Sequence, residues 1–427
     1  MCSSDLCCSS PACTSSRPEW SANCAGRINR FREQTGRSLG IMNQAPDAHR
    51  VLLIGATGAF GSRLAVMLAK LEGLELVLAA RKINRLNRIK DDLNAHGAKA
   101  RITTIAFDKT HPEMISGIAP WAIVDAAGPF QENDYTIPLA SVNCGAHYVD
   151  LSDARIHVEG FTSAVDAQAR ANNVLAVTGA SSTPALSHAA LTQLVAGWQQ
   201  IDEVLVAISP GAKAPRGLSV VQAILSYVGQ PVRVFENGQW QQNFGWSGLR
   251  RLDMPGLGAR WVSLCETPDL DLLPKNFPIN RSALFLAGLE LSPMHLGLSA
   301  LSLLVRWNLM KSLRPLARPL RAIAGVLAPF GSDRGGMLVQ VSGRDGRDRY
   351  VTARWSLLAE KNAGPNVPAA AAAAMIRALH SGREIRTGAQ ACVGLLSCEA
   401  ILDELTNLPI STRTDQVLRS ELTPQEA

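Results

Sequence analysis

A strand-like run followed at once by three spaced glycines constrains the fold of this chain most strongly. Residues 51–54 are aliphatic and suit a strand that is buried on both faces of a parallel sheet. Gly55, Gly58 and Gly61 come next, and residues 62–71 then alternate apolar and polar side chains with helical spacing. Strand, glycine turn and helix in this order is the context in which such glycines bind a dinucleotide. The stretch therefore predicts a nucleotide site of the Rossmann type, with a purely structural glycine turn as the alternative.

The glycines of this loop have distinct predicted roles. The first allows a tight turn, the second lets the backbone approach a pyrophosphate, and the third lets the new helix pack closely on the strand. The first N–H groups of that helix then face the phosphates. We assign predicted cofactor contacts to Gly55, Thr57, Gly58, Ala59, Phe60 and Gly61.

The end of the second predicted strand indicates which dinucleotide binds. NAD-specific sites carry an Asp or Glu about twenty residues after the glycines, where it binds the ribose 2′-hydroxyl. Here Arg81 and Lys82 occupy that place. Two cations attract the 2′-phosphate of NADP(H), so we predict this cofactor, with a solvated charge pair as the alternative. Asp108, at the end of the third strand, is predicted to contact adenine or to cap the next helix.

A second loop is predicted to reach the cofactor from the fourth strand. Residues 121–127 form that strand and run into a Gly-Pro-Phe turn, at the edge where ligands bind open α/β sheets. Glycine lets the backbone approach a ligand, and proline fixes the turn. We predict cofactor contacts for Ala127, Gly128, Pro129 and Phe130, with the phenyl ring covering the nicotinamide; an ordinary strand–helix loop is the alternative.

Titratable residues crowd the end of the fifth predicted strand, residues 147–151, and we expect them at the carboxyl edge of the sheet. Titratable side chains in a cleft are candidates for proton transfer. We therefore predict catalytic roles for His147, Tyr148, Asp150 and Asp153, although each on its own also fits a structural role.

Strands alternate with helices throughout the first half of the chain. The six predicted strands lie at residues 51–54, 75–80, 101–107, 121–127, 147–151 and 174–178. This pattern predicts an α/β fold with a Rossmann doubly wound parallel sheet. Beyond residue 197, hairpin signals around Asn237-Gly238 and Asp345-Gly346 indicate a second, α+β substrate domain. The predicted divisions are a disordered leader (1–48), the nucleotide-binding domain (49–197), the substrate domain (198–385) and a C-terminal segment (386–427), with a return to the first domain as one option.

Charge and cysteine content exclude several classes of protein. The net charge of +6 over 427 residues is modest and no zinc-finger pattern is present, so nucleic acid is not an expected partner. Four cysteines after residue 24 form no C-x-x-C pair, which argues against a metal site and for a reducing, cytoplasmic compartment. Residues 1–48 lack the apolar core of a secretory signal. We expect those before Met42 to be a dispensable leader or a mis-assigned start.

Together these motifs resemble the saccharopine dehydrogenase family of NADP-binding oxidoreductases. The matching stretches are G-A-T-G-A-F-G (55–61), A-G-P-F (127–130), Y-V-D-L-S-D (148–153) and G-A-S-S-T-P-A-L-S (179–187). The resemblance implies a Rossmann domain with an inserted α+β domain, and oxidation or reduction of a C–N bond in an amino-acid adduct; distant relatives are enoyl reductases. Two departures set this chain apart. Asp153-Ala154 replaces the Gly-Glu of the amino-acid-handling members, and the second domain lacks an obvious arginine cluster for carboxylates.

Residues 284–321 are the stretch that the resemblance explains least. Residues 296–305 are an apolar run too short to span a bilayer. A cationic helical face is then predicted, unless Pro315 and Pro319 break the helix. An apolar segment beside a cationic face suits an anionic membrane surface, whereas a core helix with a solvated basic neighbour is the alternative. The basic residues are Arg306, Lys311, Arg314, Arg318 and Arg321, and the spacing of the last four places them on one helical face.

The leading hypothesis is an NADP(H)-dependent oxidoreductase that transfers a hydride to or from a C=N, C=O or C=C bond of an unidentified small substrate. A nucleotide-binding sensor or partner subunit without turnover is one alternative. Another is a membrane-surface reductase of a lipid-like enoyl substrate. The oligomeric state stays open, with a homodimer as one option.

Overall fold

The computed structural model describes residues 48–131, 134–215 and 217–418. By its contacts the chain separates into two units, Met1–Pro46 and Asp47–Ala427. The first unit, and with it Met42 and nearly all of the predicted leader, lies outside the described residues. Both sheets described below belong to the second unit.

The first half of the chain forms a parallel sheet whose strands are joined by helices. Its neighbouring strands follow the order β6-β5-β4-β1-β2-β3, and the predicted α/β fold is therefore confirmed. The strands are β1 (His49–Ile54), β2 (Leu74–Ala80), β3 (Arg101–Ala106), β4 (Ala122–Asp125), β5 (His147–Asp150) and β6 (Leu175–Thr178). The helices are α1 (Gly61–Leu68), α2 (Ile83–Ala95), α3 (Met114–Ile118), α4 (Thr136–Asn143), α5 (Arg155–Ala171) and α6 (Ser187–Leu194).

Both faces of this sheet are covered, which explains why a central strand such as β1 contains a continuous apolar run. Alternate residues of β1 point to opposite sides: Leu52 and Ile54 pack in one core cluster, and Val51 and Leu53 in another. All four side chains are at most 2% exposed. A parallel sheet with helices on both faces requires this pattern.

The second half of the chain forms a mixed sheet. β7 and β12 are parallel neighbours, whereas the other pairs are antiparallel, including the two predicted hairpins, β8–β9 and β13–β14. Three strands of this sheet, β10, β11 and β12, were not predicted from the sequence. The strands are β7 (Gln200–Ser209), β8 (Pro231–Glu236), β9 (Gln239–Phe244), β10 (Arg250–Met254), β11 (Gly258–Leu264), β12 (Ile279–Ala287), β13 (Gly335–Arg344) and β14 (Tyr350–Ala359). The helices are α7 (Leu218–Tyr227), α8 (Asp269–Asn276), α9 (Ser292–Arg306) and α10 (Ala317–Leu327).

The last elements divide between the two sheets. Helix α11 (Val367–His380) packs on α1 through a run of buried alanines. Strand β15 (Gly388–Ala391) then lies parallel to β6 as the seventh strand of the first sheet. After the short helix α12 (Cys398–Asp403), β16 (Ile410–Leu418) pairs with β14 in the second sheet.

Residues 284–321 do not form one cationic helix. Residues 284–287 belong to β12 and the apolar run lies in α9. Lys311 and Arg314 precede α10, because Pro315 sits in a separate 3₁₀ turn, so the prediction of four cations on one helical face is wrong. Among the described residues no helix is both long enough and apolar enough to cross a membrane.

Candidate active site

A large cavity lies where the carboxyl ends of the first sheet face the second sheet. Its volume is about 1560 Å³, above the roughly 300–1,000 Å³ of a typical pocket for one small ligand. It therefore has room for a dinucleotide and a second molecule. Twelve of the thirteen predicted cofactor residues line it, Gly61 being the exception: Gly55, Thr57, Gly58, Ala59, Phe60, Arg81, Lys82, Asp108, Ala127, Gly128, Pro129 and Phe130.

The glycine loop packs so tightly that side chains are excluded at two positions. Gly55 has a φ of +80°, and a Cβ there would lie 2.9 Å from the backbone of Ala126 and Ala127. A Cβ on Gly61 would overlap the carbonyl oxygen of Gly55. Gly61 therefore lies under the loop rather than in the cavity, and it brings the start of α1 close to β1.

The cation cluster at the end of β2 is larger than the sequence predicted. Arg81 and Lys82 are exposed at the cavity wall, and Arg85 from the first turn of α2 joins them. Asp108 accepts hydrogen bonds from the backbone N–H and the hydroxyl of Thr110, at 3.1 and 3.0 Å. These bonds, and then the charge of Arg81, lower the pKa of the Asp108 carboxyl. Arg85 could have been found from the sequence, because it stands one helical turn after Lys82.

The loop after β4 is held by a lysine that the sequence did not single out. Lys109 Nζ lies 2.7 Å from the carboxylate of the fully buried Asp125 and donates to the carbonyl oxygen of Ala127 at 3.1 Å. It also lies 5.2 Å from the centroid of the Phe130 ring. Burial raises the pKa of Asp125, and the Lys109 ammonium opposes that shift. Lys109 thus fixes the loop and places a cation beside the ring predicted to cover the nicotinamide.

Asp150 and Tyr148 lie beneath the cavity and not in its wall. Asp150 is fully buried, and its Oδ1 accepts bonds from the Ser152 and Gly179 N–H groups and from the Thr178 hydroxyl. Tyr148 is also fully buried and stacks on Phe161. Burial raises its pKa well above the usual value. In these positions both residues support the ends of the strands, and neither of them lines the cavity.

His147 lies at the amino ends of the strands, away from the cavity. The prediction that it lies at the carboxyl end is therefore wrong. It is the first residue of β5, and its Nδ1 accepts a hydrogen bond from the Leu175 N–H at 3.0 Å. Its ring meets that of Trp121 edge-on at 5.3 Å. The strand runs from His147 towards Asp150, and the cavity lies beyond its carboxyl end, where Leu151 and Asp153 line it.

Asp153 is the one predicted catalytic residue that lines the cavity. Its Oδ1 accepts a bond of 3.4 Å from the Gln131 amide. The side chain is exposed to the cavity, but protein surrounds it closely enough that burial raises its pKa.

The facing wall supplies titratable groups that sequence patterns could not reveal. Tyr227 and Cys265 are joined by a hydrogen bond of 2.8 Å, and Glu266 follows in the cavity wall. Burial raises the pKa of all three, and the charge of Asp153 adds to the shifts of Tyr227 and Cys265. Asp153 from the first sheet therefore faces this group from the second.

The rest of the second wall is mainly apolar. Among the described lining residues on this side, Glu266, Arg321 and Asp333 carry charge. Helices α7, α9 and α10 provide most of the apolar surface, including Val221, Ile224, Leu225, Met294, Leu298, Leu301, Leu320 and Leu327. A substrate with several carboxylates would need more cations than these residues provide.

The fold and the site together define a Rossmann-type dinucleotide-binding protein. Residues 51–178 match the family model of the saccharopine dehydrogenase NADP binding domain. This part of the chain is therefore a saccharopine dehydrogenase-like NADP-binding domain, as the motifs predicted, and the cofactor prediction, NADP(H), is confirmed. No curated protein matches the chain in sequence.

Several solved structures are similar to this chain at low sequence identity. Apo saccharopine dehydrogenase (L-Glu forming) from Saccharomyces cerevisiae is 10% identical, with a TM-score of 0.61 over 86% of this chain and 100% of that one. DAP dehydrogenase from C. glutamicum is 13% identical, with a TM-score of 0.43 over 84% of this chain and 98% of that one. An engineered D-amino acid dehydrogenase bound to NADP+ is 14% identical, with a TM-score of 0.45 over 84% and 98%. The first of these supports the two-part architecture.

Proposed function

We propose that this protein is an NADP(H)-dependent oxidoreductase that acts on a C=N, C=O or C=C bond. The observation that carries the proposal is the cavity itself: a dinucleotide loop and Asp153 lie on one wall, and Tyr227, Cys265 and Glu266, whose pKa values are raised, lie on the other. Bound NADP(H) supplies or accepts the hydride. A nucleotide sensor would need the first wall but not the second.

The chain's own residues bind and orient the dinucleotide. The glycine loop receives the pyrophosphate, and Arg81, Lys82 and Arg85 receive the 2′-phosphate. The loop from Ala127 to Phe130, held by Lys109, limits the space beside the nicotinamide.

The proton that accompanies the hydride is assigned to Asp153. A carboxyl whose pKa is raised keeps its proton closer to neutral pH, which suits a general acid. Glu266 on the facing wall has the same property and is the second candidate. Tyr227 lines the cavity as a neutral phenol, so its hydroxyl can orient a polar substrate atom by donating a hydrogen bond.

The proposed substrate is a mainly apolar molecule that carries one reducible bond. The wall formed by α7, α9 and α10 favours hydrocarbon, and the few charges beside it leave little provision for a molecule with several carboxylates. This argues for an imine, ketone or enoyl compound with an apolar tail over an amino-acid adduct.

The test is NADPH oxidation by the purified full chain, assayed with imines, keto acids and enoyl esters of increasing chain length. We expect turnover with at least one class, and a rise in kcat/KM with chain length. Asp153→Asn should lower kcat about 100-fold or more while leaving NADPH affinity unchanged. Tight NADPH binding without turnover of any compound would favour the sensor and contradict the proposal.

A further inference from the structure

The outward side of α10 is an exposed apolar surface that the proposed reaction does not use. Pro319, Ile323, Val326 and Phe330 recur at positions i, i+4, i+7 and i+11, along one side of the helix and of the turn that ends it. Ile323 is 52% exposed, Val326 73% and Phe330 79%. We call these four residues the outer stripe. Large apolar side chains clustered on a surface mark a site that something else covers.

The other side of the same helix faces the cavity. Leu320, Ala324 and Leu327 each follow a stripe residue by one position, and they line the cavity wall. Ile323 belongs to both surfaces, since it is exposed and also lines the cavity. One helix therefore separates the outer stripe from the apolar cavity, and the stripe reaches the cavity's edge.

Cations flank the outer stripe. Arg318 is exposed on α10 itself, next to Pro319, whereas Arg321 is exposed on the side of the helix that lines the cavity. Arg306 and Lys311, also exposed, lie on the segment that leads into the helix, with Trp307 and Leu309 each 67% exposed between them. No Asp or Glu occurs from residue 291 to residue 332. The surface is thus apolar and cationic at once, and an anionic partner complements it.

We propose that the outer stripe docks on an anionic lipid bilayer, with α10 lying in the interface and the cavity opening beside it. A bilayer presents an apolar interior next to a layer of phosphates, which matches an apolar stripe with cations on its flank. Pairing with a second copy of the same surface would bring these cations together, and their repulsion opposes it.

The experiment is sedimentation of the purified full chain with vesicles of phosphatidylcholine, alone or mixed with phosphatidylserine. We expect binding to the mixed vesicles, weaker binding to neutral ones and release by salt. Replacing Val326 and Phe330 by Ser should lower the partition coefficient about tenfold. Replacing Lys311 and Arg318 by Ser should lower it about thirtyfold, at about 1 kcal/mol for each basic residue.

Matched controls use residues outside this surface. Ile156→Ser removes an apolar side chain that is 74% exposed on α5, and Arg347→Ser removes an exposed cation after β13. Both should sediment as the wild type does. Absence of binding to acidic vesicles at low ionic strength overturns the proposal. Binding that survives both double substitutions overturns it too, and so does a dimer that Val326→Ser with Phe330→Ser dissociates while no vesicle binding is seen. None of these measurements depends on enzymatic turnover.

Discussion

Arg81, Lys82 and Arg85 place three exposed cations at the end of the cavity where the glycine loop meets β2. The two common dinucleotides differ there by one phosphate group, which has strong acceptor oxygens. The geometry supports the sequence prediction that these side chains discriminate between the two. Arg85 adds a donor that the spacing rule did not consider.

NADPH should bind more tightly than NADH by about one to two decades, because charge-assisted hydrogen bonds to the 2′-phosphate are worth roughly 1.5–3 kcal/mol. Arg81→Asp should erase or reverse the preference. Arg88→Asp is the matched control, since Arg88 is exposed on α2, the helix that follows Arg81, but does not line the cavity. Calorimetric titration of both cofactors measures the effect, and equal affinities of the wild type would contradict it.

Asp269 is a fully buried carboxyl at the start of α8. Burial raises its pKa from 3.8 to about 7, although the Ser187 hydroxyl donates to it at 3.0 Å. The Asp269 carboxyl of the native state therefore keeps its proton at pH values at which the same carboxyl in the unfolded chain has released it. This contribution to stability is complete below about pH 4 and is lost as the pH rises through about 7.

Asp269→Asn should remove that loss, because the amide cannot ionise and still accepts from Ser187. The variant should equal the wild type near pH 4 and exceed it at pH 8, by a margin that scales at about 1.4 kcal/mol per unit of pKa difference. Urea unfolding at several pH values measures it. Parallel curves for the two proteins would show that Asp269 ionises normally in the native state.

At the scale of elements, the junction of β1, the glycine loop and α1 is set by local sequence. Its three glycines and its aliphatic strand lie within a few residues of one another, so spacing alone placed the loop correctly. Gly61 tests the packing directly. Gly61→Ala should destabilise the chain by about 1–3 kcal/mol through overpacking against the Gly55 carbonyl, and should weaken NADPH binding.

Gly117→Ala is the control for this change, because Gly117 lies in helix α3 and an added Cβ meets no atom within 4 Å. It should leave cofactor affinity unchanged and stabilise the helix slightly. Thermal unfolding with and without NADPH compares the two variants. A Gly61→Ala protein with the wild-type melting temperature would mean that α1 can move away from β1 at little cost.

Features that depend on long-range contacts could not be predicted from the sequence. Lys109 reaches Asp125 across separate strands, and Tyr227, Cys265 and Glu266 meet Asp153 only because the second sheet faces the first. The chain gives no spacing rule for such pairs. His147 shows a different limit. In a strand of four residues, only three positions separate the amino end from the carboxyl end, so a small shift places a residue at the wrong end.

At the scale of the molecule, Arg155 ties the two sheets together. It stands at the start of α5, is 7% exposed, and binds both carboxylate oxygens of Asp271 on α8 as well as the carbonyl oxygen of Arg233 on β8. Arg233 also contacts Asp271, at 2.9 Å. The contact is an ion pair closed off from most solvent, so loss of one partner leaves a charge with poor compensation.

Arg155→Met should lower the free energy of unfolding by about 3 kcal/mol or more and split the calorimetric transition in two, as the halves lose their coupling. Arg413→Met is the matched control, because Arg413 pairs with Asp415 at 2.7 Å but its side chain is 73% exposed. Such surface pairs are worth about 0–1 kcal/mol. A single sharp transition at the wild-type temperature would show that apolar packing alone couples the sheets.

The path of the last elements limits how this protein can be cut or rebuilt. The chain leaves the first sheet after β6, builds most of the second, returns to add β15 beside β6, and crosses once more to place β16 beside β14. A gene fragment that ends after β6 would encode a nucleotide-binding half with an open strand edge and without the helix that covers α1. Neither half is a contiguous gene segment, so shuffling, truncation or transplantation of one half must carry the C-terminal crossing along with it.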